Sequence, residues 1–356
     1  MISNLFAKFK SLFAKVDKED RIRGCLIGGA IGDALGYPVE FMSLGEIYDQ
    51  YGQRIIQLDT EPKWTNVEAG KAAISDDTQM VLFTAMGLIA AEGNPLDSIR
   101  KAYLDWLYTQ NESCGRRSAC SWLCDVPELN ARRAPGSTCI NALQAIEYGC
   151  EPGNNSKGCG GVMRIAPIPL YALVQNKDIT EAANLAGEAA RITHKHPLGY
   201  IPAYVLSHII YRLSTDASPS SDSFCRYVYE ALDYARKRYV DAAEDVDLLY
   251  SLLDEAIVLA GKDVFELDAF QRLGEGWVAE ETLAIAVYCV AKYFDDFDEA
   301  LIVAVNHDGD SDSTGAVTGN ILGAAIGYKA LSKTHKEKLQ LHDLILNIAD
   351  RLSRER

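Results

Sequence analysis

The chain has 356 residues, 48% of them hydrophobic, which is enough to bury a substantial core. A formal net charge of −15 argues against a general nucleic-acid binder, because phosphate recognition needs clustered Lys and Arg. No apolar run approaches a membrane span, and nine scattered cysteines suit a reducing cytoplasm better than a disulfide framework, so a soluble, cytoplasmic protein is expected.

Residues 1–19 read as an amphipathic arm. Leu5, Phe9, Leu12, Phe13 and Val16 share one helical face, Lys8, Lys10 and Lys15 lie elsewhere, and the first acid is Asp17. The segment lacks the apolar core and cleavage site of a secretory signal. It suits a helix docked on the body, or a contact element for a partner protein or membrane surface. From residue 20 to 356 helical periodicity dominates, and no linker divides the chain. The predicted helices cover 20–35, 77–92, 96–109, 137–149, 162–175, 180–193, 200–213, 223–238, 245–261, 279–292, 297–306, 313–329 and 336–352. Arg54 to Leu58 alternates like a short strand. The expected architecture is an all-α, compact, single-domain globule.

Several segments stand out against this background. In "GCLIGGAIGDALGYPVEF" (24–41), Gly24, Gly28, Gly32 and Gly36 line one helix face with bare backbone, which predicts close helix packing. No strand precedes it, so a dinucleotide fold is not expected. Asp33 and Glu40 at its edge are either solvated end residues or groups aimed into a site. "SDDTQM" (75–80) heads a predicted helix. Capping explains one acid there, but not the adjacent pair Asp76 and Asp77 flanked by hydroxyls. The cysteines from 114 to 124 lack the paired knuckles and nearby histidine of a zinc site. "ESCGRRSA" (112–119) is a small turn. "SKGCGGVMRIAP" (156–167) is a glycine-rich turn ahead of a helix, able to present backbone N–H groups to a diphosphate. His194 ends a predicted helix before Pro197, where capping or packing is the plain explanation.

"AVNHDGDSDSTGAVTG" (304–319) sets Asp308, Asp310 and Asp312 at the head of another apolar helix. Carboxylates so crowded repel one another unless a cation sits among them. The calcium-loop pattern is not matched, because Gly309 comes too early. Carboxylates supplemented by hydroxyls suit Mg²⁺ or Mn²⁺. If the two acidic heads meet, Asp76, Asp77, Asp310 and Asp312 would hold two cations, with His307 behind them supporting a carboxylate.

The ordered set "GAIGDALGYPVEF", "SDDTQM", "APGSTCINAL", "KGCGGVMRIAPI", "ITHKHPLGY" and "GDSDSTGAVTGNILGA" resembles the ADP-ribosylglycohydrolase family over about residues 20–330. The resemblance implies an all-α fold with a binuclear Mg²⁺ or Mn²⁺ centre. It implies metal ligands at Ser75, Asp76, Asp77, Asp310, Asp312 and Ser313, with serine where relatives often carry threonine. Glu40 matches the family's catalytic acid, with Asp310 the other implied catalytic group. Gly115, Ser156, Gly158, Cys159, Gly160 and His194 match positions that contact ADP-ribose, Cys159 standing where many relatives have Asn. The implied activity is hydrolysis of the N-glycosidic bond between ADP-ribose and a modified protein side chain, with arginine favoured. The alternative is an immunity protein that blocks an ADP-ribosyltransferase toxin by direct contact.

Overall fold

The computed structural model describes residues 16–61, 63–110 and 121–354. Most of the amphipathic arm and Gly115 therefore lie outside the described residues. The helices are α1 (Lys18–Gly36), α2 (Leu44–Tyr51), α3 (Asp76–Ile89), α4 (Pro95–Thr109), α5 (Ser137–Glu147), α6 (Pro167–Val174), α7 (Ile179–Arg191) and α8 (Pro197–Thr215). They continue as α9 (Ser221–Arg238), α10 (Ala243–Ala260), α11 (Glu266–Leu273), α12 (Ala279–Lys292), α13 (Phe297–Val305), α14 (Ser311–Ile326), α15 (Lys333–Lys338) and α16 (His342–Leu352). No strand occurs among the described residues, only isolated bridges at Ala72–Leu339 and Gly158–Val278. The expected all-α architecture is the observed one. No helix among the described residues is long and apolar enough to cross a membrane.

The centre of the molecule is the antiparallel pair α1 and α14. Gly24 faces Gly323, Gly28 faces Gly319, Gly32 faces Gly315, and Gly36 faces the backbone of Ser311. A Cβ at any of these α1 positions would fall on the carbonyl of its partner, so only glycine lets the two backbones touch. The ladder fixes both the separation and the register of the helices. Around it, α8, α12 and α13 cover α14, while α3 and α16 cover α1.

Departures from the predicted elements have local causes. Arg54 to Leu58 is not a strand: the amide and carbonyl of Ile55 are both taken by the side chain of Asn306, at 2.9 Å each. The helix expected over 162–175 starts only at Pro167, whose missing N–H suits a first turn. The helix expected over 336–352 is two, split at Leu341, whose φ is 57°. There the chain turns to bond Ala72, with Ala72 N–H donating to Lys338 at 2.7 Å and Gln340 N–H donating back at 3.1 Å. Two unforeseen helices are short: α2, started by a Ser43–Glu46 capping box, and α11, which buries Ala269, Phe270 and Leu273.

Candidate active site

Helix α1 is the post to which both acidic helix heads are tied. At its C-terminal end Gly36 lies against Ser311, which holds the start of α14 in place. One turn earlier, the carboxylate of Asp33 accepts from Ser75 N–H at 2.9 Å and Thr78 N–H at 3.1 Å, and from the Thr78 hydroxyl. Asp33 is thus neither a solvated end residue nor a group aimed into a cleft. It is a buried carboxylate that caps the first turn of α3. The Ser75 hydroxyl accepts from Asp77 N–H at 3.1 Å, and the two heads meet at one cleft, where Asp76 and Asp77 stand with Asp310 and Asp312.

The three alternating acids before α14 separate into different roles. Asp308 points outward and accepts from Leu44 N–H at 2.6 Å, tying down the start of α2. Asp310 and Asp312 are buried. Asp310 caps α14 by accepting from Ser313 N–H at 3.3 Å. By contrast, Asp76 Oδ2, Asp77 Oδ2 and Glu40 Oε2 are buried with no hydrogen-bond partner.

Burial, followed by the repulsion of Asp312, pushes Asp76 and Asp77 well above the usual carboxylate range. Burial, then Asp310, does the same to Asp312. Glu40 is driven up to about 11 by burial and then by Asp312 and Asp310. Asp33 rises to about 7 through burial and Asp312, opposed by its bonds from Thr78 and Ser75. Lone carboxylate pairs that are desolvated, crowded and unpaired are costly unless a proton or a cation meets them.

All of these acids except Asp33 line a cleft of about 380 Å³. One wall holds Glu40, Asp76, Asp77, Asp310, Asp312 and Ser313; the other holds Gly158, Cys159, Gly160, Met163 and His194. No Lys or Arg lines it among the described residues. A larger hollow, about 710 Å³, opens beside α15 and α16, but its wall mixes acids with Lys71, Lys333 and Lys336 and has no buried acidic cluster. Of the residues anticipated from sequence, Ser75 sits just behind the acidic wall as the α3 cap. Ser156 supports the opposite wall, its hydroxyl 3.0 Å from that of Thr138.

Two amides of the glycine-rich turn are taken within the protein, and those of Gly160 and Gly161 have no backbone partner among the described residues. Gly158 N–H donates to Ser156 Oγ at 3.3 Å, and Cys159 N–H to the Trp277 carbonyl at 3.2 Å. The glycines also make room for an imidazole. A Cβ at Gly160 would stand 2.7 Å from Cys139 Sγ and 3.1 Å from His194 Cε1. The lowered pKa of His194, about 3, follows from its burial and from Arg164, and keeps the ring neutral.

The stretch Gly274–Trp277, passed over in the sequence, bridges the two walls. The Glu275 carbonyl accepts from Asp310 N–H at 2.9 Å, and Trp277 bonds Cys159. Gly274 and Gly276 adopt φ of 106° and 86°, and Glu281 accepts from Glu275 N–H at 3.0 Å. The Trp277 ring then stacks on Phe41 at 5.8 Å between centroids, above the cleft and next to Glu40. The paired glycines of "GEGW" (274–277) were the signal available for this strap. His307 lies behind the acids, its Nε2 3.0 Å from Thr314 Oγ1, and touches no carboxylate ligand candidate.

Among the described residues, no group of three or more His, Cys, Asp or Glu is drawn together as a ready metal site. A binuclear centre is therefore not displayed by the structure. The chemistry of the donors does fit hard divalent cations: carboxylate and hydroxyl oxygens, orphaned and buried, with no described basic residue to neutralise them.

Known proteins resemble this chain over most of its length. The family model for ADP-ribosylglycohydrolase matches residues 14–356. An ADP-ribosyl-[dinitrogen reductase] glycohydrolase of Rhodospirillum rubrum is 28% identical, covering 90% of this chain and 91% of the relative. The ADP-ribosylarginine hydrolase Tri1 of Serratia proteamaculans (strain 568) is 24% identical over 96% of this chain and 81% of its own. The ADP-ribosylhydrolase ARH3 of Homo sapiens is 24% identical over 90% and 89%. A solved chain described as an ADP-ribosylglycohydrolase-related protein complex shares the fold, with a TM-score of 0.62 at 23% identity over 95% of this chain and 98% of that one. With a family model spanning nearly its whole length and an acid-lined cleft at the heads of α3 and α14, this chain belongs to the ADP-ribosylglycohydrolase family.

Proposed function

We propose that this protein hydrolyses the N-glycosidic bond between ADP-ribose and an arginine side chain of a modified protein, reversing mono-ADP-ribosylation. The observation that carries the reading is the set of buried, unpaired oxygens of Asp76, Asp77 and Glu40 facing one cleft with Asp310 and Asp312. Arginine is favoured because a guanidinium suits a cleft whose described lining is acidic and free of Lys and Arg. The name of the Serratia relative carries the same acceptor.

In this reading Ser75, Asp76, Asp77, Asp310, Asp312 and Ser313 hold two Mg²⁺ or Mn²⁺ ions. Such ions, when bound, fix neighbouring sugar hydroxyls and lower the pKa of water. The protein's own groups do the rest. Glu40, buried at the edge of the acidic wall, gives a proton to the departing nitrogen as the C–N bond breaks. Asp310 orients the water that adds to the anomeric carbon, and the proton that water sheds returns to the Glu40 carboxylate. The wall of Ser156, Gly158, Cys159, Gly160 and His194 receives the distal part of ADP-ribose and holds the sugar in position, and Gly115, outside the described residues, keeps the ligand-contacting role its motif implies. The cytoplasm is the proposed compartment, supported by the free thiols Cys25, Cys139 and Cys289.

The test is turnover of ADP-ribosyl-arginine, ADP-ribosyl-serine and O-acetyl-ADP-ribose with Mg²⁺ or Mn²⁺ and after chelation. Release of ADP-ribose from the arginine linkage, lost on chelation, is the expected result. No release from any linkage would overturn the proposal. The toxin-blocking alternative rested on the N-terminal arm, most of which lies outside the described residues, and no observation favours it.

A further inference from the structure

Arg164 is fully buried, yet none of its partners is a carboxylate. It stacks over the Tyr103 ring at 4.3 Å, approaches Met80 Sδ at 3.7 Å and Cys139 Sγ at 3.5 Å, and donates to the Ala189 carbonyl at 3.2 Å. Its shortest bond, 2.6 Å, goes to Thr193 Oγ1. That same oxygen lies 2.9 Å from His194 Nδ1. A buried guanidinium without a counter-ion is costly, so its placement calls for a reason beyond packing.

The bonding geometry supplies one. An arginine only donates, so Thr193 Oγ1 must accept from Arg164. The hydroxyl then has one proton to place, either on His194 Nδ1 at 2.9 Å or toward the Ala190 carbonyl at 3.5 Å. The second distance is at the limit of a hydrogen bond, whereas the first is ordinary. If Nδ1 carried the proton, Oγ1 would accept twice and its own hydrogen would be left with the long contact. We infer that Arg164 and Thr193 act as positioning residues that fix His194 as its Nε2–H tautomer, so that the ring offers a hydrogen-bond donor to an oxygen of the ligand in the cleft.

Three features agree with this assignment. Nε2 faces the glycine turn, 3.4 Å from where a Cβ of Gly158 would stand. The amides of Gly158 and Cys159 are spent within the protein, so the imidazole adds a donor on that wall beside the Gly160 amide. The backbone on either side is anchored, with His194 N–H donating to the Ala190 carbonyl at 3.1 Å and the Thr193 carbonyl accepting from Asn154 at 2.8 Å. A relay of this type parallels the way a second partner sets which nitrogen of a histidine is available. The inference that the ligand oxygen belongs to ADP-ribose rests on the function proposed above; the tautomer does not.

The experiment separates the two. Long-range ¹H–¹⁵N spectra of the full chain, labelled in histidine and free of ligand, report the tautomer of each ring, with His194→Gln assigning the signal. The Nε2–H pattern is expected, lost or mixed in Thr193→Val and restored in Thr193→Ser. ADP-ribose affinity by calorimetry should fall about tenfold in Thr193→Val, as for one lost, well-oriented donor, and stay within about twofold in Thr193→Ser. An Nδ1–H pattern in the unaltered protein overturns the inference. So does an Nε2–H pattern that persists in Thr193→Val together with unchanged affinity. If the unaltered protein binds no ADP-ribose, the functional reading fails, and the ligand-free spectra still decide the tautomer.

Discussion

Asp308 and Asp312 stand four residues apart in one acidic turn, yet they differ in what surrounds them. Asp308 is exposed and accepts from Leu44 N–H, so its charge is solvated and used structurally. Asp312 is buried among Asp310, Asp76 and Asp77, with burial and repulsion forcing its pKa up. The same contrast separates Asp33, whose carboxylate is filled by donors from α3, from Asp76, which keeps an orphan oxygen. Crowding of acids along the chain therefore does not mark a site by itself. The mark is a buried carboxylate whose lone pairs the protein leaves unfilled.

That contrast can be broken most severely at the orphan acids. Asp76→Ala or Asp77→Ala should lower ADP-ribose release by roughly 10²–10³-fold or more, the scale on which a preorganised electrostatic group acts. The metal-free protein should lose no stability, because a buried, repelled carboxylate is removed. Steady-state assays paired with urea unfolding check both halves; full activity in Asp76→Ala would refute the role given to this wall.

Next in size is the scaffold that brings the heads together. Gly32→Ala places a methyl against the Gly315 carbonyl, and overpacking of this kind costs about 3 kcal/mol. Denaturant midpoints should shift accordingly, and activity should fall in the surviving folded fraction, since α1 and α14 lose their register. A neutral result would mean the helices slide more easily than their contacts suggest.

Asp33→Asn tests a supporting carboxylate. It leaves the acidic wall intact but disturbs the cap on α3, so metal affinity should weaken about 10–100-fold, the usual range for outer partners of a ligand. Calorimetric titration with Mn²⁺ reads this directly. Asp308→Ala sharpens the comparison from the other side: about 1 kcal/mol or less of stability and no more than a small change in turnover.

The pH dependence follows from the same groups. Carboxylates with raised folded pKa bind more protons in the folded state, so their contribution to stability is full below the unfolded value and is lost as pH rises through the folded value. For Asp33 that window runs from about 4 to about 7. Buried His307 and His208, both lowered to about 4, act in the opposite sense. The difference in Tm between Mn²⁺-loaded and chelated protein cancels the histidines and should widen from pH 5 to pH 8. A difference that narrows with pH would contradict the assignment of these acids.

Much of the fold was legible because helical periodicity and capping are local properties. The glycines at every fourth position of α1 announced close packing, and the acid pairs before α3 and α14 announced more than capping. Other features were not legible. Nothing local distinguishes Asp308, which faces solvent, from Asp312, which does not. The amides of Gly158 and Cys159 looked available because their acceptors, Ser156 Oγ and the Trp277 carbonyl, are set by folding. The strap Gly274–Trp277 and the Arg164–Thr193–His194 chain depend on partners far apart along the sequence or on side-chain geometry.

By itself, the sequence determined the helices, the residue types able to bind hard cations, and the ordered motifs that mark the family. Hydrogen bonding within a turn and the period of a helix act over a few residues, so they can be read in order. The tertiary structure alone decided which oxygens are left unfilled, because desolvation and repulsion depend on what packs against a group from every side. The contact of α1 with α14, together with the Asp33 cap on α3, brings two acidic turns more than two hundred residues apart to one cleft.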